Sequence, residues 1–337
     1  MSIRRLFLSV LILLLACLVL GLGYGRARLL WTETEEIHDA APAHGRWVQT
    51  SDAEIYVQEF GPREGKTIVL VHGTGAWSGT WASNLSAMTQ AGFHVVALDL
   101  PPFGYSSHPS SSAYSRLSQA KRILETIDAL RLGSVILLGH SFGGGPAIEA
   151  AMLAQGQVRS LILVDAALGL STPMRNCSSD SAIDILLGVR PLRTTLMAAL
   201  ITEPVFSGYL LKSFVAKKEV VTKERLAIYQ KPFMLRGYTA GLGDWAYEFA
   251  RDCDDALSKH ETEYHKLLIP VALLWGELDS VTPLAQGQHI QALLPNVTLE
   301  VMPGVGHIPQ IEDVALFNAT LSKVLNRLSR NTLIATQ

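Results

Sequence analysis

The stretch VILLGHSFGGGPA, residues 135 to 147, places one serine between glycines directly after a strand-like apolar run. Glycine at 139, 143 and 144 removes the Cβ atoms that would collide with neighbouring main chain in a sharp turn. The pattern Gly139-His140-Ser141-Phe142-Gly143 is typical of a serine that projects from a turn between a buried strand and a helix. Ser141 is therefore a candidate nucleophile, and the alternative is a glycine-rich turn without chemistry.

A serine nucleophile needs a base that accepts its proton and a carboxylate that orients the base. Two later stretches supply candidates for both. Asp279 lies in LLWGELDSVTP, shortly after the apolar run 270–275, and His307 lies in MPGVGHIPQIE, after the run 297–302. Asp279 could instead be an ordinary turn residue, and Asp165, which follows SLILV, is the alternative orienting acid. The residues needed for nucleophilic catalysis thus occur in the order serine, aspartate, histidine.

These residues need a scaffold that brings distant loops together. An alternating run at 53–60 predicts a half-buried strand. Short continuous apolar runs predict strands buried on both faces of a parallel sheet, at 67–71, 94–98, 135–138, 160–164, 270–275 and 297–302. Helices are predicted at 115–130, 142–154, 284–294 and 313–328. Alternation of strands and helices predicts an α/β fold with a mostly parallel, doubly wound sheet and right-handed crossovers.

The alternation stops between about 172 and 264, where the sequence becomes helical and amphipathic. We interpret this stretch as an insertion whose apolar residues either pack its own interior or line a lid over the carboxyl edge of the sheet. The predicted organisation has five parts: an N-terminal transmembrane anchor or signal segment (1–28), a tether (29–46), a first core part (47–171), a helical cap (172–264) and a second core part (265–330).

Residues 6–24, LFLSVLILLLACLVLGLGY, contain no charge. As a helix they would be about 28 Å long at about 1.5 Å per residue, which is close to the thickness of a bilayer's hydrocarbon core. We favour an uncleaved single-pass membrane anchor. The alternatives are a cleaved signal, which would leave a secreted or periplasmic protein, and a lipidation site at Cys17.

Composition excludes several other functions. The formal net charge of −2 argues against a nucleic-acid partner. The three cysteines show no metal-ligand spacing, so we expect no metal site and no cofactor. Cys177 and Cys253 could pair in an oxidising compartment, or they could be two unrelated thiols.

The glycine-flanked Ser141, the GELDSVTP loop and the final histidine together resemble the α/β-hydrolase superfamily, in a form with a helical cap. The resemblance covers about residues 50–330. The match of GELDSVTP to the acid loop of the family favours Asp279 over Asp165. The resemblance as a whole implies a triad of Ser141, Asp279 and His307. We interpret His72 as a structural residue and His140 as a neighbour that packs the turn.

His72-Gly73-Thr74-Gly75, after the first buried strand, is another feature of the family. In relatives, one backbone N–H of this loop and the N–H of the residue after the nucleophile form an oxyanion hole. The resemblance assigns these donors to Phe142 and to either Thr74 or Gly75. The chain departs from the family in one loop: Pro102 stands where relatives have a glycine, so we expect a different loop shape there.

The resemblance implies a serine hydrolase that cleaves carboxylic esters through an acyl-enzyme. Apolar or lipid ester substrates fit the apolar cap and the anchor. Alternatives within the fold are a carbon–carbon bond hydrolase and a cofactor-free perhydrolase. An alternative of another class is a ligand-binding module with a vestigial triad.

Overall fold

A central sheet of eight strands organises the chain in the computed structural model, which describes residues 3–170, 185, 187–251 and 253–334. The strands are β1 (Gly45–Gln49), β2 (Glu54–Phe60), β3 (Thr67–Val71), β4 (His94–Leu98), β5 (Val135–His140), β6 (Val158–Val164), β7 (Val271–Gly276) and β8 (Val297–Met302). Their spatial order is β1-β2-β4-β3-β5-β6-β7-β8. Strands β1, β2 and β4 pair antiparallel, and all other pairs are parallel.

Helices cover both faces of the sheet and form the cap. They are α1 (Ile3–Thr32), α2 (Ile37–Ala40), α3 (Ala82–Gln90), α4 (Arg116–Ala129), α5 (Gly144–Leu153), α6 (Arg190–Leu200), α7 (Pro204–Phe214), α8 (Lys223–Gln230), α9 (Tyr238–Arg251), α10 (Glu261–Tyr264), α11 (Leu284–Leu293), α12 (Pro309–Glu312) and α13 (Val314–Ile334). Apolar side chains of α3 and α13 pack on one face of the sheet, and those of α4, α5 and α11 pack on the other. The predicted mostly parallel, doubly wound α/β fold is confirmed.

The apolar runs predicted most strands well because burial on both faces leaves little room for polar residues. Strands β3, β4 and β8 have the predicted bounds, and β2, β5, β6 and β7 differ by one or two residues at an end. Strand β1 was missed. Its sequence, GRWVQ, mixes polar and apolar residues because it lies at the edge of the sheet and only Val48 is buried. Helix α3 was also missed, since its short sequence ASNLSAMTQ has no capping side chain.

Helices α6 to α10 lie between β6 and β7 in the sequence, where the insertion was predicted. Part of the predicted cap, residues 172–184, 186 and 252, lies outside the described residues. The residues predicted as a tether include the end of α1, the short helix α2 and the beginning of β1. The domain boundaries themselves stay predictions.

Helix α1 is long and apolar enough to cross a membrane by length and composition, a test that signal sequences also pass. Its side chains from Arg4 to Gly21 are exposed, whereas Gly25, Arg28 and Leu29 are buried against the rest of the protein. We call residues 4–21 the free part of α1 and residues 25–29 its packed part. Among the cysteines, Cys17 on the free part is an unpaired thiol, and Cys253 is disulfide-bonded. The prediction about Cys177 lies outside the described residues.

We expect Gly139→Ala to destabilise the fold, because the added Cβ would lie 2.6 Å from the carbonyl oxygen of Gly143 and 2.8 Å from Cβ of Ala147. Overpacking of this kind costs about 1–3 kcal/mol. Gly156→Ala is the matched control, since its Cβ would meet nothing within 4 Å. Chemical denaturation measures both free energies of unfolding. Equal values for the two variants would contradict the close packing at this turn.

Candidate active site

Ser141 lies at the point where β5 ends and the chain turns towards α5. Its φ is +51°, a left-handed conformation that non-glycine residues rarely adopt. The turn approaches the end of β3 so closely that a Cβ on Gly143 would lie 2.4 Å from the carbonyl oxygen of His72. A tight turn and a glycine at 143 therefore hold the serine at the carboxyl edge of the sheet, as the sequence pattern predicts.

Three predicted site residues meet at this edge. The Nε2 atom of His307 lies 2.8 Å from Oγ of Ser141, and Nδ1 lies 2.8 Å from Oδ2 of Asp279. All three residues are buried. The serine hydroxyl, the imidazole and the carboxylate thus form one row of hydrogen bonds, although Ser141 and His307 are 166 residues apart in the sequence.

Asp279 is the better supported carboxylate. Its Oδ1 accepts the backbone N–H groups of Val281 and Thr282, and its Oδ2 also accepts the hydroxyl of Thr282. Burial raises the pKa of Asp279, but bonds from His307 and Thr282 outweigh it, and the net pKa is lowered. The carboxyl group therefore favours the charged form that can orient an imidazole.

Asp165, the alternative acid, is buried at the end of β6, and its Oδ1 accepts the N–H of Gly276. Burial, and then the charge of Asp279, raise the pKa of Asp165 well above its ordinary value. Within the described part of the chain, the carboxylate bonded to Nδ1 of His307 is that of Asp279. The geometry therefore favours Asp279 for the orienting position.

His140 and His72 support the site from behind. Nε2 of His140 donates to the carbonyl oxygen of His307, at 2.9 Å. Nδ1 of His72 donates to the carbonyl oxygen of Gly73, and its Nε2 accepts the N–H of Leu100. Burial lowers the pKa of His72 to about 4, and burial together with the nearby His307 lowers the pKa of His140 to about 3. Both imidazoles are neutral near pH 7, which fits their predicted structural roles.

The loop that carries the predicted oxyanion donors passes beside the serine. A Cβ on Gly73 would lie 3.1 Å from Cβ of Ser141. Gly75 has a φ of +69°, and among the described residues no acceptor takes the N–H of Thr74 or of Gly75. Phe142 directly follows the serine in the turn. These N–H groups can therefore receive the oxygen of a ligand, although the geometry does not separate Thr74 from Gly75.

The loop with the unusual proline has a cis peptide bond between Pro101 and Pro102. The following residue, Phe103, is fully buried, and its ring lies 5.8 Å from that of Phe142 and 5.0 Å from that of Trp245. The loop thus packs behind the residue that follows Ser141.

Glu312 is a residue that the sequence analysis did not single out. Its buried carboxylate accepts four backbone N–H groups: those of Gly306 and Ile308, on both sides of His307, and those of Ala216 and Lys217, in the cap. The N–H of His307 also donates to the carbonyl oxygen of Phe214 at the end of α7. Glu312 therefore joins the loop of His307 to the cap. The sequence contained no signal for this role, because the partners of Glu312 are backbone N–H groups.

An apolar cavity of about 190 Å³ lies between the cap and the site. Thr74, Gly75 and His140 line it on the core side, and α6, α7 and α9 line it on the cap side, with side chains such as Met197, Leu210 and Trp245. Among the described residues that line it, none carries a formal charge at neutral pH. The cavity reaches His140, the residue before Ser141, and the loop of Thr74 and Gly75, so it suits an apolar group close to the site.

Comparison with known proteins gives consistent findings. The family model of the alpha/beta hydrolase fold matches residues 66–314. A 2-hydroxy-6-oxo-2,4-heptadienoate hydrolase of Pseudomonas putida is 25% identical over 270 residues, which cover 80% of this chain and 91% of that protein. The crystal structure of a bacterial membrane phospholipase A is 26% identical, with a TM-score of 0.67 and coverage of 97% of this chain and 99% of that one. An esterase of Exiguobacterium antarcticum is 23% identical, with a TM-score of 0.66 and coverage of 84% and 99%.

We expect Glu312→Ala to slow the reaction of Ser141 with a fluorophosphonate by about tenfold or more, because the backbone beside His307 loses its shared acceptor. Glu312→Gln keeps one oxygen acceptor and should lie between this variant and the unmodified protein. Glu277→Ala is the control, since Glu277 is exposed and accepts one N–H, that of Gly304. Labelling rates and melting temperatures measure the effect. Equal labelling rates for Glu312→Ala and the control would refute the positioning role.

Proposed function

The chain belongs to the α/β-hydrolase fold family and is a hydrolase, and on that premise we propose that it cleaves carboxylic ester bonds of apolar acyl substrates. The observation that carries the proposal is the row of 2.8 Å contacts from Asp279 through His307 to Ser141. This arrangement is what a serine nucleophile, a general base and an orienting carboxylate require.

In the proposed first step, Nε2 of His307 accepts the hydroxyl proton while Oγ of Ser141 bonds to the ester carbonyl carbon. The proton then passes to the leaving alcohol oxygen as the ester C–O bond breaks, and an acyl-enzyme remains. In the second step, a water molecule gives a proton to His307 and attacks the acyl carbon, which releases the acid and restores Ser141. Asp279 stabilises the imidazolium in both steps.

The carbonyl oxygen gains negative charge when its carbon becomes tetrahedral. We assign its donors to the N–H of Phe142 and to the N–H of Thr74 or Gly75. Donors of this kind contribute about 10² to 10³ in rate each. The unpaired state of the Thr74 and Gly75 N–H groups in the described structure supports this assignment.

The apolar character of the cavity supports an apolar acyl group, because burial of hydrocarbon there needs no polar partner. The similarity to a membrane phospholipase A, which extends over 97% of the chain, supports a lipid ester in particular. Substrates of this class partition into bilayers, where an anchored enzyme would meet them.

We further propose that α1 is retained as a membrane anchor rather than removed as a signal. The length and apolar composition of α1 support this, and the burial of Gly25, Arg28 and Leu29 supports retention of the end of the helix. Cleavage beyond them would expose the surface of the cap that they cover.

Carbon–carbon bond hydrolysis is the second candidate, because a relative from Pseudomonas putida is named a 2-hydroxy-6-oxo-2,4-heptadienoate hydrolase, and hydrolysis of a vinylogous diketone of this kind breaks a carbon–carbon bond. A dienoate is a carboxylate and would need a cationic or strongly donating partner if it were buried. The described residues that line the cavity include no lysine or arginine. This favours the ester proposal over the second candidate, and over a cofactor-free perhydrolase, which no observation favours.

We expect the full-length protein to hydrolyse p-nitrophenyl esters and a monoacylglycerol, and to lose this activity when Ser141 is replaced by Ala. A fluorophosphonate should label the peptide that contains Ser141, as mass spectrometry would detect. The Ser141→Ala variant should keep its melting temperature, which separates catalysis from folding. Unchanged esterase activity in Ser141→Ala would disprove the nucleophile. Turnover of a 2-hydroxy-6-oxo-dienoate without ester turnover would support the second candidate, and ligand binding without labelling would support a vestigial triad.

The acid limb of the pH profile should carry no contribution from His72 or His140 between pH 5 and 8. The lowered pKa values of His72 and His140, about 4 and 3, keep both imidazoles neutral throughout this range. A general base must be neutral to accept a proton, so a fall in kcat/KM at acid pH should have a slope of one in log units when neither of these two histidines contributes. A rate profile with p-nitrophenyl acetate measures the slope. A slope of two would show that a second buried histidine titrates with it.

A further inference from the structure

The packed part of α1 is built into the cap. Gly25 faces α6 so closely that a Cβ on it would lie 3.0 Å from Cα and Cβ of Ala199. Leu29, one turn later, is buried on the same face. Small side chains at such a crossing let two helix backbones approach each other closely. Helix α1 and helix α6 therefore form one packed pair.

Arg28 binds the carboxyl end of α6. This side chain is 8% exposed, and its Nη2 donates to the carbonyl oxygens of Ala198 and Thr202 at 3.0 and 2.9 Å. The last carbonyl groups of a helix have no partner within the helix and carry partial negative charge. The buried guanidinium of Arg28 donates hydrogen bonds to carbonyl groups at this end, so the carboxyl end of α6 packs against α1.

Glu33 binds the amino end of α9. Its carboxylate accepts the N–H of Gly237 at 3.0 Å and the N–H of Thr239 at 2.8 Å. The first N–H groups of a helix lack internal partners and carry partial positive charge, which a carboxylate complements. The last turns of α1 thus present a cation to one cap helix, and the residue directly after α1 presents an anion to another.

Thr202 and Thr239 complete a polar ring. Their buried hydroxyl oxygens lie 3.0 Å apart, which joins the end of α6 to the beginning of α9. The carbonyl oxygen of Thr202 also accepts a hydrogen bond from Arg28, and the backbone N–H of Thr239 also donates to the carboxylate of Glu33. We call these four residues, Arg28, Glu33, Thr202 and Thr239, the clamp. The clamp links the end of α1 to α6 and α9. The contact between Arg28 and Thr202 joins residues that are 174 positions apart in the sequence.

The clamp lies directly behind the wall of the cavity. Ile201 and Tyr238, which line the cavity, are the sequence neighbours of Thr202 and Thr239. Trp245, also in the lining, packs against Phe142 with ring centroids 5.2 Å apart and so marks the serine end of α9. Tyr238 is seven residues earlier in α9, which is about 10 Å along the helix at about 1.5 Å per residue. The clamp therefore borders the part of the cavity that is remote from Ser141.

We propose that the clamp fixes the separation of α6 and α9 and so determines the preference of the cavity for long acyl chains. Arg28 and Glu33 are then positioning residues for substrate, supplied by the helix that carries the candidate anchor and by the residue directly after it. The acyl-chain part of this inference rests on the proposed function. A short acyl group reaches only the serine end, whereas a decanoyl chain extends to Ile201 and Tyr238. Loss of the clamp should therefore affect long chains selectively.

The test uses the full-length protein in detergent and two esters, p-nitrophenyl decanoate and p-nitrophenyl acetate. For Arg28→Ala and Glu33→Ala, we expect the ratio of kcat/KM values, decanoate over acetate, to fall by about tenfold or more. The kcat for acetate should stay within about twofold of the unmodified protein. Arg28→Lys, which keeps a cation that can donate to both carbonyls, should recover part of the ratio. Arg26→Ala is the matched control, because Arg26 is exposed on the same helix.

Two further measurements keep the outcome decisive. Thr202→Val removes one hydroxyl of the clamp with little change in shape, and should lower the ratio by about threefold even if the larger variants fold poorly. Isothermal titration of Ser141→Ala with methyl decanoate, an uncharged ester, with and without Arg28→Ala, tests chain binding without any reaction. If no ester is hydrolysed, the proposed function fails while this titration still tests the clamp. Unchanged ratios and unchanged methyl decanoate affinity, or equal losses in Arg26→Ala, would overturn the inference.

Discussion

The site depends on the common direction of β5, β7 and β8, whose carboxyl ends meet at one edge of the sheet. Because of this, the loops that carry Ser141, Asp279 and His307 leave the core side by side. The approach of the serine turn to β3 is limited by main-chain contact, and a side chain at Gly143 would occupy the position of the His72 carbonyl oxygen. Precise placement of one hydroxyl therefore requires glycine where local helix propensity would disfavour it.

Burial then decides which carboxyl group carries charge. Asp165 and Asp279 lie close enough that the charge of one raises the pKa of the other. The donors around them are unequal, since Asp279 receives two backbone N–H groups and a threonine hydroxyl, and Asp165 receives the N–H of Gly276. Two buried carboxylates would repel each other, so the carboxyl group with more donors favours the charged form, and the pKa of the other is raised. This asymmetry gives His307 a single anionic partner.

Patterns of neighbouring residues predicted what local physics determines. The buried strands were readable because their positions admit only apolar side chains, and Ser141 was readable because its turn needs glycines. Edge strand β1 was not predicted, because only one of its side chains is buried and its sequence therefore lacks a continuous apolar run. Glu312 and Arg28 were not recognised either, because each acts on backbone groups of a distant segment, and a backbone group has no signature in a sequence. The residue types alone left Asp165 and Asp279 open; the family resemblance favoured Asp279, and the contact of its carboxylate with His307 agrees with that choice.

The cap is held at two places, and the cavity lies between them. At one side, Arg28 of α1 and Glu33, directly after α1, bind the ends of α6 and α9. At the other side, Glu312 binds the N–H groups that follow α7, and the carbonyl oxygen of Phe214 accepts the N–H of His307. A flexible tether would leave the cap free to move relative to α1. Since α1 instead contributes buried contacts, any displacement of this helix must break polar bonds behind the cavity wall, which makes the shape of the cavity depend on the N-terminal helix.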